Sequence, residues 1–134
     1  MREVLDSRFF VVHYAARDEK TLTMTRSKLS RLRREKRGVI PSIVVVETTN
    51  FVCREGGRDR AMQHLKTLEY SGLEIAPLSM AVAREAGLLK CTHRSLPIAD
   101  CIVAATALRE RACVVSDDPH FSQVRGLRVV WIEE

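Results

Sequence analysis

The sequence is poor in the residues that mark fibrous, disulfide-linked or membrane-spanning proteins. Its 134 residues include 6 Gly, 4 Pro and 4 Cys, which excludes collagen-like, low-complexity and disulfide-rich classes. No apolar run approaches the roughly 18–20 residues needed to cross a bilayer. Acidic residues appear as early as Glu3 and Asp6, too soon for a signal peptide. We therefore expect a single cytoplasmic domain, residues 1–134, with a mainly aliphatic core because only 5% of residues are aromatic.

The four cysteines are expected to be free thiols in the protein interior. They are Cys53, Cys91, Cys101 and Cys113. No two of them form a Cys-x-x-Cys pair, and no histidine stands at zinc-finger spacing from a cysteine pair. The sequence therefore argues against a structural zinc site.

Lysine is also scarce, since 17 of the 22 basic residues are arginine in a chain of net charge +5. Arginine suits phosphate oxygens, which favours a polyanionic partner, although a general composition bias would give the same count. The run 26–37 holds seven basic residues and one acid, Glu35. It predicts either a phosphate-binding face, a solvated helix face or a protein-docking surface. The candidate phosphate-binding residues are Arg26, Lys28, Arg31, Arg33, Arg34 and Arg37.

Short β-branched runs alternate with longer segments of helical periodicity, which predicts an α/β domain with a mostly parallel sheet. The predicted strands are 3–5, 39–40, 73–76, 113–116 and 128–132. Helices are predicted after Asp6, from 22 to 37 with Gly38 as the stop, and around 61–68, 82–89 and 97–108. The last of these begins with Pro97, a residue favoured in a first helical turn.

The segment 43–46 is ambiguous, because four consecutive β-branched residues are typical of a strand. Pro41 and Ser42 come directly before it and resemble a helix start, with Ser42 as the N-cap. We predict a helix here.

Acidic side chains follow the predicted strands. Asp6 ends the first strand, Asp117 and Asp118 follow the fourth, and Asp100 lies in the first turn after Pro97. Since the carboxyl ends of parallel strands share one edge of a sheet, these residues can meet there. Glu47 interrupts an apolar segment, and a buried glutamate without a partner is costly, which suggests that it faces the same site.

Each acid also has a purely structural interpretation. Asp6 or Asp118 could cap a helix, Asp100 could favour a helix dipole, and Glu47 could pair with an arginine. Four carboxylates at one edge with no adjacent lysine would, however, repel one another unless a divalent cation neutralised them. Oxygen ligands favour Mg²⁺ or Mn²⁺ over zinc.

Four blocks of the sequence resemble, in order and spacing, the motifs of the PIN-domain family. They are Val4-Leu5-Asp6-Ser7, Pro41-Ser42 followed by Glu47, LPIADCIVAATA at 96–107 and VSDDPHF at 115–121. The resemblance covers nearly the whole chain, and by size it is closest to the VapC-like toxin ribonucleases, which pair with a small antitoxin. It implies a PIN-like three-layer α/β/α domain with a short, mostly parallel central sheet.

The resemblance also implies the chemistry. Asp6, Glu47, Asp100 and Asp118 match the acidic residues that bind one or two Mg²⁺ or Mn²⁺ ions and hydrolyse RNA phosphodiester bonds. Ser116 stands where the family usually has threonine, and His120 stands where some members carry a further acid. Asp117 is an alternative to Asp118 as a ligand. The basic run becomes a candidate RNA-binding or antitoxin-docking surface, and the apolar helix with Phe9 and Phe10 implies a homodimer.

Three other functions are weighed against a toxin ribonuclease. A PIN-like RNA-binding module with weak or no catalysis is disfavoured by the four intact acids. A PIN nuclease of RNA processing has the same motifs and stays open. A phosphate-receiver or phosphatase domain would need an acidic pair after the first strand, whereas Asp6 is followed by Ser7, Arg8 and Phe9.

Overall fold

The computed structural model describes residues 1–132, in which strands and helices alternate along the chain. The strands are β1 (Glu3–Leu5), β2 (Gly38–Pro41), β3 (Glu74–Ala76), β4 (Cys113–Val115) and β5 (Val129–Val130). The helices are α1 (Ser7–Ala15), α2 (Glu19–Glu35), α3 (Ser42–Gly56), α4 (Arg58–Glu69), α5 (Met80–Thr92) and α6 (Ile98–Glu110), with a short 3₁₀ helix at Pro119–Gln123. Within residues 1–132, none of the helices is both long enough and apolar enough to pass through a membrane.

The five strands form one parallel sheet in the order β3-β2-β1-β4-β5. In the central strand, Val4 pairs with Val39 on one side and with Val114 on the other. Strands β1, β2 and β4 are buried along their whole length, because helices cover both faces of the sheet. The predicted three-layer α/β/α fold is confirmed, and the sheet is parallel throughout.

The core is aliphatic and is built around α6. Seven consecutive residues of this helix, from Cys101 to Ala107, are buried, so α6 is enclosed on all sides instead of presenting one apolar stripe. Leu32 of α2 and Val44 of α3 join the same cluster and are fully buried. Because α6 is anchored along this length, the position of Asp100 in its first turn is fixed by the core.

The end of α2 differs from the prediction. The helix ends at Glu35, and Lys36 takes a left-handed conformation with φ 55°, from which its N–H reaches the carbonyl groups of the last turn. Gly38 does not stop the helix but opens β2, so the prediction for Gly38 is wrong. A Cβ at Gly38 would lie 2.6 Å from Leu73 Cδ2, so any larger residue at this position would require the Leu73 side chain to shift.

The ambiguous segment 43–46 is helical, as predicted, and lies within α3. Ser42 is the first helical residue and not the N-cap; Pro41 occupies the cap position, and no side chain caps the helix. The prediction for Ser42 is therefore wrong. Likewise, Pro97 is the N-cap of α6 and Ile98 is its first residue. In both cases the extended ψ of the proline, 142° or 150°, places it before the first helical turn.

The cysteine prediction is half right. Cys101 and Cys113 are buried free thiols, but Cys53 and Cys91 are exposed. Cys53 and Cys91 lie toward the carboxyl ends of α3 and α5. Composition alone does not reveal which face of a helix carries a cysteine.

The basic run 26–37, most of which lies in α2, does not form a single exposed face. Lys28 is only 4% exposed, and its Nζ lies 2.5 Å from Glu3 Oε1. Arg31 and Arg37 also approach the Glu3 carboxylate, with closest distances of 3.9 and 3.6 Å. The prediction that Lys28 binds phosphate is therefore wrong, because its ammonium group neutralises a buried acid. The exposed members of the set are Arg26, Arg33 and Arg34.

Lys28→Ala is expected to lower the free energy of unfolding by about 3 kcal/mol, because it leaves the Glu3 carboxylate buried without its nearest partner. Lys28→Met combined with Glu3→Gln removes both charges and should recover most of that loss. Urea unfolding at pH 7 measures both variants, with Arg34→Ala as a control on the exposed side of the same helix. A loss for Lys28→Ala no larger than that for Arg34→Ala would contradict the importance of this pair.

Candidate active site

The acidic residues meet where β1 and β4 end side by side. Leu5 pairs with Val115 in the parallel register, so the residues that follow each strand are neighbours. The backbone N–H of Asp6 donates to the Val115 carbonyl at 3.2 Å. The structure therefore brings together residues separated by 110 positions in the sequence.

Ser116 connects the two strand ends through its hydroxyl group. Its Oγ donates to Asp6 Oδ2 at 2.7 Å and accepts the backbone N–H of Asp118 at 3.0 Å. Ser116 is itself buried. One buried hydroxyl thus fixes the orientation of the Asp6 carboxylate and the path of the loop that carries Asp118.

Asp100 and Glu47 approach this edge from helices α6 and α3. Burial raises the pKa of Asp100 from its ordinary value of 3.8 to about 6, and repulsion from Asp6, Asp118 and Glu47 contributes in the same direction. Burial also raises the pKa of Glu47, with a further contribution from Asp6, while the neighbouring Ser7 hydroxyl opposes the shift. Asp100 is therefore close enough to the other three carboxylates to be repelled by each of them.

Asp6 is the most deeply buried of the four, at 1% exposure. Burial raises its pKa, and the hydrogen bond from Ser116 opposes that shift. Asp6 occupies the N-cap position of α1, but its side chain makes no capping hydrogen bond. Its carboxylate is therefore not explained by the capping interpretation.

Two carboxylate oxygens at this edge lack a partner. Among residues 1–132, the individual atoms Asp6 Oδ1 and Glu47 Oε1 are buried and have no hydrogen-bond partner. A buried polar atom without a partner destabilises the fold, and each of these two oxygens is available as a ligand for a cation. The four acids supply only oxygen donors, which suits Mg²⁺ or Mn²⁺.

The structure separates Asp117 from Asp118. The Asp117 carboxylate forms a bidentate pair with Arg8, with Nε–Oδ1 2.9 Å and Nη2–Oδ2 3.2 Å. Asp118 instead lies with Asp100 and His120, and one donor atom from each falls within 4.8 Å of the others. Asp118 Oδ1 also accepts the backbone N–H of His120 at 2.9 Å. Asp118 is thus both a cap of the 3₁₀ helix and a member of the acidic cluster.

Sequence reasoning named His120 but gave it no metal-binding role, and it missed Arg8 at this edge. A loop histidine next to a phenylalanine suggests a structural role, yet His120 Nδ1 lies 3.1 Å from Asp118 Oδ1 and 3.5 Å from Asp100 Oδ2. The feature of the sequence that could have indicated this role is the position of His120 two residues after Asp118, in a turn that begins with proline. Arg8 follows Asp6 by two residues in the first turn of α1, and nothing in the sequence indicates that it would bind Asp117.

The raised pKa of Asp100 makes the stability of the metal-free protein depend on pH. Between its ordinary value of 3.8 and the folded-state value of about 6, the folded protein binds more protons than the unfolded chain. Stability therefore falls as the pH rises from about 4 to about 6. Above pH 6 the full unfavourable contribution is present.

Asp100→Asn removes this contribution and is expected to stabilise the metal-free protein at pH 7 by about 1 kcal/mol. It should also flatten the dependence of stability on pH between about 4 and 6. Urea unfolding in EDTA at several pH values measures both effects. Asp117→Asn is the control. Because Asp117 is paired with Arg8, its replacement should not increase the free energy of unfolding. Equal stability of wild type and Asp100→Asn across this range would contradict the repulsion.

Comparisons with known proteins agree with this fold. A family model described as PIN domain matches residues 4–127. DNA-bound VapBC from Salmonella typhimurium matches with TM-score 0.79 and 18% identity, over 98% of both chains. VapBC2 from Rickettsia felis, bound to a promoter DNA fragment, gives TM-score 0.78 and 20% identity, again over 98% of both chains.

A third solved structure is the sarcin–ricin loop cleaving toxin VapC20 from Mycobacterium tuberculosis. It matches with TM-score 0.68 and 16% identity, over 90% of this chain and 92% of that chain. The comparison with curated proteins gave no match. The structural matches show a shared fold, and the family model covers all four acidic residues. This chain belongs to the PIN-domain family.

Proposed function

We propose that this protein is a metal-dependent endoribonuclease and the toxin of a type II toxin–antitoxin pair. The observation that carries the proposal is the group of four carboxylates at one sheet edge, where repulsion adds to burial in raising the pKa of Asp100 and where two of the acids hold buried oxygens without a partner. Within residues 1–132, no lysine or arginine forms an ion pair with any of the four. A divalent cation would supply the missing positive charge.

Asp6, Glu47, Asp100 and Asp118 would hold one or two Mg²⁺ or Mn²⁺ ions. Such ions activate water for attack on a phosphodiester and stabilise the charge on the phosphate and the leaving oxygen. Ser116 orients Asp6 by donating to Oδ2, which leaves Oδ1 free to serve as a ligand. Arg8 holds Asp117 away from the cluster, so we propose Asp118 and not Asp117 as the ligand.

The proposed substrate is RNA. VapC20, whose structure resembles this one, is a toxin that cleaves the sarcin–ricin loop. In this chain, the exposed Arg26, Arg33 and Arg34 remain available to phosphate groups. Arg31 and Arg37 approach Glu3 at the start of β1, which lies roughly 10 Å from Asp6 at about 3.3 Å per strand residue. Arg31 and Arg37 would therefore contact RNA at a distance from the phosphodiester bond that is cleaved.

The proposed protein partner is a small antitoxin, and we also propose a homodimer in the cytoplasm. Several structural relatives are VapBC assemblies, and one is described as a toxin–antitoxin complex from Klebsiella pneumoniae. A groove of about 420 Å³ runs between α1, α2 and α4, lined by apolar side chains that include Phe10 and Leu29. Arg26 and Arg33 border it, so part of the basic run suits an acidic antitoxin segment as well as RNA.

The three aspartates are expected to be essential for cleavage, whereas Asp117 is not. Asp→Asn at Asp6, Asp100 or Asp118 should lower the rate by more than about 100-fold, since even outer partners of metal ligands contribute about 10–100-fold. Asparagine caps helices about as well as aspartate, so a capping role would survive these changes. Cleavage of structured RNA in Mn²⁺, with and without EDTA, measures the effect.

Asp117→Asn is the matched control and should retain most activity. Thermal melts of all four variants in EDTA should show stability equal to or above wild type. A loss of stability that parallels the loss of activity would contradict an active-site role. RNA binding by the wild type in Mn²⁺ without cleavage would instead support an RNA-binding module.

The exposed arginines of α2 are expected to make RNA affinity depend on salt. Arg33→Gln with Arg34→Gln should flatten the slope of log affinity against log salt by about 1.4, because each phosphate neutralised on a single strand contributes about 0.7 to that slope. Binding is measured in the cleavage-deficient Asp6→Asn background. The control is Arg84→Gln with Arg109→Gln, which removes equal charge from exposed positions on α5 and α6. An unchanged slope in the α2 variant would assign this surface to protein docking.

A further inference from the structure

His120 occupies a fixed position between two carboxylates. Its Nδ1 lies 3.1 Å from Asp118 Oδ1 and 3.5 Å from Asp100 Oδ2. The turn that carries it is held by the hydrogen bond from the His120 N–H to Asp118 and by the next residue, Phe121, which is fully buried. The imidazole, which is 48% exposed, is therefore presented to the cluster by a short 3₁₀ turn.

The 3.1 Å contact lies within hydrogen-bond range, and the two distances together also fit three ligands around one metal ion. A single N–H can serve one acceptor well, and 3.5 Å is long for such a bond, whereas the ring nitrogen faces two carboxylates at once. Donor atoms around one six-coordinate ion with bonds of about 2.1 Å are about 3–4 Å apart. Nδ1 stands at this spacing from both oxygens.

An independent feature of the same edge also indicates a cation. Asp6 is 1% exposed, and its Oδ1 has no hydrogen-bond partner among residues 1–132. Its other oxygen is bonded to Ser116, whose hydroxyl also accepts the N–H of Asp118. The Asp6 carboxylate is therefore linked through Ser116 to the loop that carries Asp118 and His120.

We propose that His120 Nδ1 is a nitrogen ligand of the metal site and gives it a preference for Mn²⁺ over Mg²⁺. This inference rests on the proposed metal-dependent function. Imidazole nitrogen suits transition-metal ions, whereas Mg²⁺ favours oxygen donors and retains several waters. The ligand is the neutral ring, which would bind the ion through the lone pair of Nδ1.

The test uses metal-free, tag-free protein with Mn²⁺ alone as the probe. Pulsed EPR of bound Mn²⁺ should show coupling to nitrogen in the wild type and none in His120→Asn. Calorimetry should show that His120→Asn loses at least about tenfold in Mn²⁺ affinity, the lower end of the effect of outer partners, with little change for Mg²⁺. The control is His93→Asn, at the end of α5, which should keep both signals.

His120→Asp gives a second, independent readout, because it replaces the nitrogen donor with oxygen. This variant should bind both ions, with no nitrogen coupling and with a Mn²⁺-to-Mg²⁺ affinity ratio below that of the wild type. Thermal melts identify any variant that fails to fold.

Two outcomes separate the inference from the function on which it rests. Mn²⁺ binding by the wild type without nitrogen coupling would overturn the role of His120 and leave the metal-dependent nuclease intact. Failure of the wild type to bind either ion, with RNA cleavage that persists in EDTA, would overturn the proposed function itself.

Discussion

The Asp6 carboxylate is held at the carboxyl end of the central strand, where it is almost completely shielded from water. The neighbouring polar groups are arranged around this carboxylate. The parallel pairing of β1 with β4 places Ser116 beside it, and the Ser116 hydroxyl satisfies one of its oxygens. The other oxygen is left without a partner, and the negative charge of Asp6 adds to the effect of burial in raising the pKa of Asp100. An unfavourable electrostatic arrangement is thus built into the centre of the sheet edge.

Such an arrangement persists only because the rest of the fold over-determines it. Helix α6 is enclosed along seven consecutive residues, so Asp100 cannot move away from Asp6 without disturbing the core. Phe121 is fully buried and holds the turn that carries Asp118 and His120. The packing energy of apolar residues therefore maintains repulsion among the acids, which is the condition for tight binding of a cation.

The sequence predicted this edge because its determinants are local and topological. A β-branched run ending in an acid identifies the end of a strand, and parallel strands bring such ends together. This reasoning placed Asp6 and Asp118 at the same sheet edge without any knowledge of how side chains pack. It could not foresee that Gly38 lies close to Leu73, that Lys28 turns inward to Glu3, or that Cys53 is exposed. These outcomes depend on which side chains from distant segments meet, and periodicity carries no such information.

A buried acidic residue lies at each end of β1, but only one of the two is neutralised by basic side chains. At the amino end, the buried Glu3 carboxylate is neutralised by Lys28 and approached by Arg31 and Arg37. At the carboxyl end, Arg8 is engaged by Asp117, and among residues 1–132 no lysine or arginine pairs with Asp6. A chain with 22 basic residues has enough cations to neutralise both ends. Because only the amino end of β1 is neutralised in this way, a bound ion can supply the positive charge at the carboxyl end.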